Sequence, residues 1–290
     1  MARIAIIGGG NIGEALLSGL LRAGRQTKDL VVAEKDPARA KTLADKYSVQ
    51  VTSVGDAAEN ASFVIVAVKP SDVESVVGEV AEAVAQADDE SAEQVFVTVA
   101  AGVTTAYYES RLPAGAPVVR VMPNAPMVVG GGVSAVAGGS FATPEQIKSV
   151  VAIFDAVGGV LTVTESQLDA VTAVSGSGPA YFFLMAEALV DAAVAEGLSR
   201  PVATELVSQT MAGSAAMLLE ALDRRQPAGD AAMGAGIDTT AAALRATVTS
   251  PGGTTAAGLR ELERGGLRAA VANAVHAAKT RSEQLGITSE

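Results

Sequence analysis

The sequence contains no cysteine, a single histidine and few aromatic residues, which make up 3% of its 290 positions. Without cysteine, disulfides, cysteine nucleophiles and thiolate metal sites are excluded. One histidine and no clustered carboxylates leave no ligand set for a zinc-dependent dehydrogenase or another metal, so we expect no metal site. With few large rings, the core is expected to consist mainly of Ala, Val, Leu and Ile, which suits close helix packing and strands buried on both faces.

Positive charge is also scarce, because 21 Lys and Arg residues stand against 32 Asp and Glu residues, for a net charge of −11. No run of basic residues interrupts this excess. Nucleic acid is therefore not expected as a partner, since it needs a basic stripe to neutralise phosphate. An anionic cofactor is compatible with the composition, because helix ends and a few local cations bind phosphate whatever the net charge.

An uncharged hydrophobic run of membrane-spanning length is missing from the sequence. The most apolar stretch, residues 180–198, contains Glu187, Asp191 and Glu196 and is interrupted by Gly197. This pattern predicts a buried helix and no membrane partner. The amino terminus leads directly into a short apolar strand, without the length or cleavage site of a signal peptide. Together with the absence of cysteine, these features predict a cytoplasmic protein.

The sequence has two halves with different periodicity. Up to about residue 164, short β-branched runs alternate with amphipathic helical segments, a pattern typical of βαβ units in a doubly wound, mostly parallel sheet. After Glu165 the β-rich runs vanish and helical patterns dominate, and the last helix is expected to end at Gly286. We therefore predict an α/β domain over residues 1–164 and an all-α domain over residues 165–290.

A glycine-rich segment opens the first half. Gly8, Gly10 and Gly13 occupy the three glycines of a GxGxxG motif, directly after a predicted strand and at the opening of a predicted helix, with Asn11 and Ile12 between the last two glycines. These glycines permit a tight turn, close backbone approach to a pyrophosphate and close packing of helix on strand. A bare motif can arise by chance, but here strand, helix and a later acidic residue coincide. The segment predicts a Rossmann dinucleotide-binding domain, with the free amides of the helix start facing the pyrophosphate.

The acidic residue is Glu34, at the end of the second predicted strand, where a carboxylate meets the adenosine ribose hydroxyls. Taken alone, Glu34 favours NADH. Lys35 and Arg39 lie in the same turn and could hold the 2′-phosphate of NADPH, although solvated cations at a helix start would give the same pattern. These residues by themselves leave the choice between the two cofactors open.

Four further segments make the prediction specific. They are VAVKP at residues 66–70, VMPNAP at 121–126, SGSGPAY at 175–181 and TSPGGTTAAGL at 249–259. With the glycine-rich segment, and in this order, they resemble pyrroline-5-carboxylate reductase from end to end. The resemblance implies reduction of the cyclic imine 1-pyrroline-5-carboxylate to L-proline, with NADPH as cofactor and NADH as the alternative. It also implies that the helical domain binds the substrate and interlocks with a second subunit, in a homodimer or a larger homo-oligomer.

The same resemblance implies individual site residues. The cofactor would be bound by Val68, Lys69, Pro70, Ala100 and Ala101, with Asn124 near the nicotinamide, in addition to the glycine-rich segment, Glu34 and Lys35. The substrate would be bound by Ser175, Ser250, Gly252, Gly253, Thr254 and Thr255. Thr255 would be the catalytic residue, placed beside the ring nitrogen to polarise and orient it.

The residue types suit this chemistry. The segment from Ser250 to Thr255 has the form of a turn that opens a helix, with free amides and hydroxyls able to hold a carboxylate, although an ordinary helix cap would have the same form. A protonated imine is already electrophilic, so positioning carries much of the rate and no strong acid is needed. The proton would come from the substrate iminium or water. His276, in a predicted helix, is expected to have a structural or surface role.

Three alternative functions stay open. An imine reductase of the same two-domain plan would perform the same chemistry on a different substrate. A β-hydroxyacid dehydrogenase is disfavoured, because it normally relies on a lysine of its second domain and no lysine occurs between Lys148 and Lys279. A noncatalytic nucleotide sensor would bind NAD(P)H without turnover.

Overall fold

The computed structural model describes residues 2–86, 94–224 and 240–287. The chain divides into two compact units, one formed by Met1–Pro179 together with Val275–Glu290, and the other by Ala180–Ala274. This spatial division differs from the predicted sequence boundary at residue 164, because the segment after that residue packs within the first unit. We describe each unit by itself.

An eight-stranded sheet, counted among the described residues, forms the centre of the first unit. Its strands are β1 (Ile4–Ile7), β2 (Leu30–Ala33), β3 (Gln50–Thr52), β4 (Phe63–Val66), β5 (Val95–Thr98), β6 (Val118–Met122), β7 (Gly132–Gly138) and β8 (Gly158–Thr162). Their order is β3-β2-β1-β4-β5-β6-β7-β8, and all neighbours pair in parallel except β6 with β7. The predicted doubly wound, mostly parallel sheet is confirmed. Strand β3 was not predicted, because its three residues contain no apolar run.

Helices alternate with the strands of the first unit and continue without strands in the second. They are α1 (Asn11–Arg22), α2 (Pro37–Tyr47), α3 (Val54–Glu59), α4 (Val73–Gln86), α5 (Thr105–Glu109), α6 (Pro144–Phe154), α7 (Leu168–Val171), α8 (Gly178–Ala195), α9 (Arg200–Asp223), α10 (Thr240–Thr247), α11 (Thr254–Arg264) and α12 (Leu267–Ile287). Local capping sets several bounds: Asp36 accepts hydrogen bonds from the first amides of α2, and Pro37 occupies its first turn.

The central strands of the sheet are buried on both faces. Ile4 and Ile6 of β1 face a core that contains Leu16 and Leu17 of α1, whereas the other residues of β1 face a second core with α3 and α4. Both cores consist mainly of aliphatic side chains, as the composition predicted. Burial on both faces explains why the strands carry continuous apolar runs instead of alternating patterns.

A partly buried ion pair connects the segment after residue 164 to the sheet. Arg120, on β6, is 3% exposed, and its guanidinium donates at 3.2 Å to the carboxylate of Glu165, whose side chain is 27% exposed. Glu165 also accepts hydrogen bonds from the backbone N–H of Thr105, at 2.9 Å, and from its hydroxyl. Because Arg120 is removed from water, separating this pair would leave a buried charge without a partner. The pair therefore holds the start of the helical half within the first unit.

The second unit consists of helices whose apolar side chains are largely exposed. Phe182, Phe183 and Leu184 on α8 are 65%, 69% and 66% exposed. The helix predicted in residues 180–198 is confirmed up to Ala195, whereas the prediction that this helix is buried is wrong for the single chain. Within the described residues, one helical stretch, Glu165–Ala195, has the length and apolar composition needed to cross a membrane. A single such helix is weak evidence for a membrane span, because a core helix of a soluble protein meets the same criteria.

The last helix does not end at Gly286 as predicted, because α12 continues to Ile287. A Cβ at Gly286 would lie 2.8 Å from the carbonyl oxygen of Gly102, so the glycine permits two backbone segments to approach closely. Nearby, Ser282 of α12 donates a hydrogen bond of 2.6 Å to Asp169. Tertiary packing, rather than helix capping, accounts for glycine at position 286.

Candidate functional site

The carboxyl ends of five parallel strands meet at one edge of the sheet. Gly8 follows β1, Glu34 follows β2, Val68 lies just beyond β4, Ala100 lies beyond β5 and Asn124 lies beyond β6. Ligands of open α/β sheets bind at this edge. The structure thus brings together residues that are far apart in the sequence.

A cavity of about 470 Å³ lies at this edge of the sheet. Its wall contains six of the predicted cofactor residues, namely Gly8, Gly10, Glu34, Lys35, Val68 and Lys69. Thr52, Ser53 and Asp72 also contribute to the wall, although the sequence analysis did not single them out. The first two were missed because they lie at the end of β3, the strand without a recognisable pattern.

The three glycines of the motif have different structural roles. A Cβ at Gly13 would lie 1.9 Å from the carbonyl oxygen of Gly8, so only glycine lets α1 lie this close to the end of β1. Gly8 has a φ of +106°, and a Cβ there would also lie 2.8 Å from the carbonyl oxygen of Ala67. Gly10, the residue before α1, has open space where its Cβ would be. Asn11 and Ile12 are the first residues of α1, where backbone amides lack intrahelical acceptors.

The carboxylate of Glu34 is held by two backbone N–H groups. Its Oε2 accepts from Gly9 at 2.8 Å and its Oε1 from Asp36 at 2.9 Å. These two contacts fix the Glu34 carboxylate at the cavity wall, at the position where Rossmann proteins bind the adenosine ribose.

Both cations of the same turn have carboxylate partners. The Nζ of Lys35 lies 3.0 Å from Oδ2 of Asp72, and the guanidinium of Arg39 donates to Glu14. The Nε of Arg39 also donates to the carbonyl oxygen of Gly9 at 2.8 Å. Lys35 lines the cavity, whereas Arg39 does not.

The predicted cofactor residues after β4 and β5 have different positions. Val68 and Lys69 line the cavity, and Pro70 lies outside its wall, at the start of a single 3₁₀ turn. Ala100 and Ala101 also lie outside the wall, although they follow β5 at the same edge of the sheet. Ala100 is 3% exposed, and its backbone N–H donates to the hydroxyl of Thr98 at 3.2 Å.

Asn124 connects three segments of the first unit. Its Oδ1 accepts from the backbone N–H of Val133 at 2.9 Å, and its Nδ2 donates to the carbonyl oxygen of Ser175 at 3.2 Å. Ser175 lies in a π-helical turn, Thr172–Gly176, and such turns occur frequently at functional sites. The Asn124 side chain therefore holds the backbone of the SGSGPAY segment next to the carboxyl edge of the sheet.

The predicted substrate turn lies in the second unit. The backbone N–H of Gly253 donates to the carbonyl oxygen of Ser250 at 3.0 Å, and Gly252 between them has a φ of +70°. With Pro251 before this glycine, the segment has the geometry of a type II turn. Gly253 precedes α11 without a side-chain cap, and Thr254 and Thr255 are its first residues, both exposed. Amides and hydroxyls at this helix start are thus accessible to an anion.

The described residues contain no metal-binding cluster, and the single histidine does not line the cavity. Among residues 2–86, 94–224 and 240–287, no group of three or more His, Cys, Asp and Glu side chains could hold a metal ion. His276 lies exposed on α12, in agreement with the surface role expected for it.

Comparison with known proteins gives matches over the whole chain. The family model for pyrroline-5-carboxylate reductase dimerisation matches residues 165–285, and that for NADP oxidoreductase, coenzyme F420-dependent, matches residues 3–102. A pyrroline-5-carboxylate reductase of Mycobacterium leprae is 72% identical over 291 residues, covering 100% of this chain and 99% of that protein. The solved reductase structure from Coxiella burnetii has a TM-score of 0.85 at 32% identity, and the NADP-bound one from Plasmodium falciparum 0.80 at 28%, each covering 98% of both chains.

The glycine loop at a helix start, the carboxylate after β2 and the helical second half define a nicotinamide-dependent oxidoreductase with a Rossmann-type domain and a helical dimerisation domain. The whole-length matches decide its family. The chain belongs to the pyrroline-5-carboxylate reductase family. The resemblance drawn from its motifs and the predicted fold class are both confirmed.

We expect Gly13→Ala to lower the free energy of unfolding by about 2 kcal/mol and to weaken dinucleotide binding, because the new methyl group must push α1 away from β1. Urea unfolding and fluorescence titration with NADH measure the two effects. Gly10→Ala is the matched control: its methyl group meets no atom within 4 Å. It should weaken dinucleotide binding, where a pyrophosphate approaches the helix start, while leaving unfolding unchanged. Equal losses of stability in both variants would contradict the different roles of these glycines.

Proposed function

We propose that the protein catalyses the NAD(P)H-dependent reduction of 1-pyrroline-5-carboxylate to L-proline. The observation that carries the proposal is the presence, in one chain, of a dinucleotide cavity after parallel strands and an exposed Ser-Pro-Gly-Gly-Thr-Thr turn that opens a helix. The name of a relative that is 72% identical over the whole chain supports the same reaction.

The residues at the carboxyl edge of the sheet fit a nicotinamide dinucleotide. Gly10 leaves open the space that a Cβ would fill at the start of α1, and the cavity beside it contains Glu34. In our proposal the amides of Gly10, Asn11, Ile12 and Gly13 bind the pyrophosphate, and Glu34 and Lys35 lie at the ribose. Val68, Lys69, Pro70, Ala100, Ala101 and Asn124 border the remainder of the cofactor. When bound, the cofactor supplies the hydride.

The turn before α11 is proposed to hold the substrate carboxylate. The first amides of this helix and the hydroxyls of Ser250 and Thr254 would donate hydrogen bonds to it, and the glycines at 252 and 253 let the backbone approach closely. A carboxylate is favoured at a helix start because the unpaired N–H groups carry partial positive charge. Ser175 completes the proposed set of substrate residues.

Thr255 is the proposed catalytic residue. A threonine hydroxyl is a poor acid, so its role is to accept or donate a hydrogen bond at the ring nitrogen and thereby orient the imine. The protonated imine is itself electrophilic, and its proton, or one from water, stays on the product nitrogen. Rate enhancement then comes mainly from orientation of the two reactants.

The domain division and assembly belong to the same proposal. Residues 1–164 would bind the cofactor, and residues 165–290 would bind the substrate and form a homodimer or larger homo-oligomer. The exposed apolar side chains of α8 and the match to a dimerisation family model support this assembly. We also propose a cytoplasmic location, which fractionation of producing cells would test.

Purified protein should oxidise NADH or NADPH when 1-pyrroline-5-carboxylate is added. Loss of nicotinamide absorbance and formation of L-proline measure this reaction. A cyclic imine without the carboxylate serves as the comparison substrate and should react at least about tenfold more slowly, since the charge-assisted contacts to the turn are lost. Equal rates would favour a general imine reductase, and binding without turnover would favour a nucleotide sensor.

Thr255→Ala should lower kcat by about tenfold or more, because the ring nitrogen loses its orienting hydrogen bond. The dissociation constant for NADH should stay within about twofold of the unmodified value. Thr255→Ser, which keeps the hydroxyl, should restore most of the rate. Impaired NADH binding in the alanine variant would show that Thr255 belongs to the cofactor site instead.

Sedimentation at micromolar concentration should show a dimer or a larger assembly, because exposed apolar helix faces are stabilised by association. Phe183→Asp on α8 should shift the protein toward monomer. Phe141→Asp, at a side chain of the first unit that is 52% exposed, should not. A monomeric unmodified protein would contradict the proposed assembly.

A further inference from the structure

The cavity wall carries more negative than positive charge. Glu34, Asp72 and Glu79 contribute three carboxylates, whereas Lys35 and Lys69 contribute two cations. A 2′-phosphate placed against Glu34 would bring a further negative charge, of about −1.5 to −2, toward a carboxylate that two backbone N–H groups hold in position. Such a phosphate therefore needs a cation that is free to reach it.

Of the two cations in the wall, Lys69 follows β4, which is two positions from β2 in the sheet, whereas Lys35 follows Glu34 directly and is already paired. Its Nζ lies 3.0 Å from Oδ2 of Asp72, and both residues line the cavity. To bind a phosphate, Lys35 would have to leave Asp72 or share its charge with that carboxylate. Because the Lys35 side chain is 80% exposed, its ion pair with Asp72 is weak. The contacts that restrain Arg39 therefore matter more for phosphate binding.

Arg39 is bound at two places away from the cavity wall. Its Nε donates to the carbonyl oxygen of Gly9 at 2.8 Å, and a terminal nitrogen donates to Oε2 of Glu14. Glu14 is itself fixed on the α2 side, since its Oε1 accepts from Lys46 at 2.9 Å and from the Tyr47 hydroxyl at 2.8 Å. Four groups thus form a polar cluster between α1 and α2.

Glu14 keeps its negative charge over the whole working pH range. The hydrogen bond from Lys46, with those from Tyr47 and Arg39, lowers the pKa of Glu14 to about 2, against an opposing effect of burial. The carboxylate is therefore ionised at neutral pH and holds Arg39 at every pH at which the reaction would be assayed.

We infer that this chain uses NADH more efficiently than NADPH, and that Glu14 is a positioning residue for this choice because it holds Arg39 away from the 2′-phosphate. The inference rests on the proposed function and concerns only the ratio of the two cofactors. Gly9 contacts both charged side chains, because its N–H donates to Glu34 and its carbonyl oxygen accepts from Arg39. One residue thus positions both the carboxylate that would bind the ribose hydroxyls and the cation that could bind a phosphate.

Kinetics and direct binding test the inference together. For the full-length protein, kcat/KM with 1-pyrroline-5-carboxylate and the dissociation constant from fluorescence titration are measured with NADH and with NADPH. The unmodified protein should favour NADH by at least about tenfold in both quantities. Glu14→Gln should raise the NADPH-to-NADH ratio by about tenfold, the effect of one added charge-assisted contact. The change should lie in binding and KM rather than kcat, because the 2′-phosphate is remote from the reacting carbon.

Asp45→Asn is the matched control for net charge, since it removes one carboxylate from an exposed position on α2, the helix that carries Arg39. It should leave the ratio within about twofold. Adding Arg39→Met to Glu14→Gln should cancel the gain. A preference for NADPH in the unmodified protein, or equal changes in the two single variants, would overturn the inference. Failure to turn over the cyclic imine with either cofactor would instead overturn the proposed function.

Discussion

The close approach of α1 to the end of β1 is the constraint on which the cofactor site depends. The approach exists because Gly13 has no side chain where a Cβ would meet the Gly8 carbonyl oxygen at 1.9 Å. Further along α1, Gly19 allows similar proximity to Val157, whose methyl carbon would lie 2.1 Å from an added Cβ. The helix is thereby held with its amino end beside the carboxyl edge of the sheet, where its free amides can meet a pyrophosphate.

That arrangement explains how a chain with a net charge of −11 can bind an anionic cofactor. Backbone amides at a helix start supply partial positive charge without any lysine or arginine. Two side-chain cations near Glu34 are held in ion pairs, Arg39 with Glu14 and Lys35 with Asp72. In the proposed complex the two tasks are separate: backbone dipoles would bind the pyrophosphate, and side-chain carboxylates would determine what can occupy the ribose position.

Positioning is also the common theme of the remaining polar contacts. Asn124 uses both ends of its amide to hold Val133 and Ser175, and Glu165 joins Arg120 to Thr105. These contacts hold backbone segments in place without supplying acid or base. Such a design suits a reaction in which an electrophilic iminium needs orientation more than proton transfer. The contacts of Glu165 also explain why the start of the helical half lies within the sheet unit.

Features that depend on short-range geometry could be predicted from the sequence alone. Glycines after a strand, an acidic residue just after β2, and proline followed by glycine before α11 each restrict a few neighbouring residues and so leave a recognisable local pattern. The position of β3 with Thr52 and Ser53, the contact of Gly286 with Gly102 and the hydrogen bond between Glu14 and Arg39 became apparent only in the folded chain. These depend on segments far apart in sequence, whose approach is set by packing of the whole sheet and its helices and leaves no local pattern in any one of them.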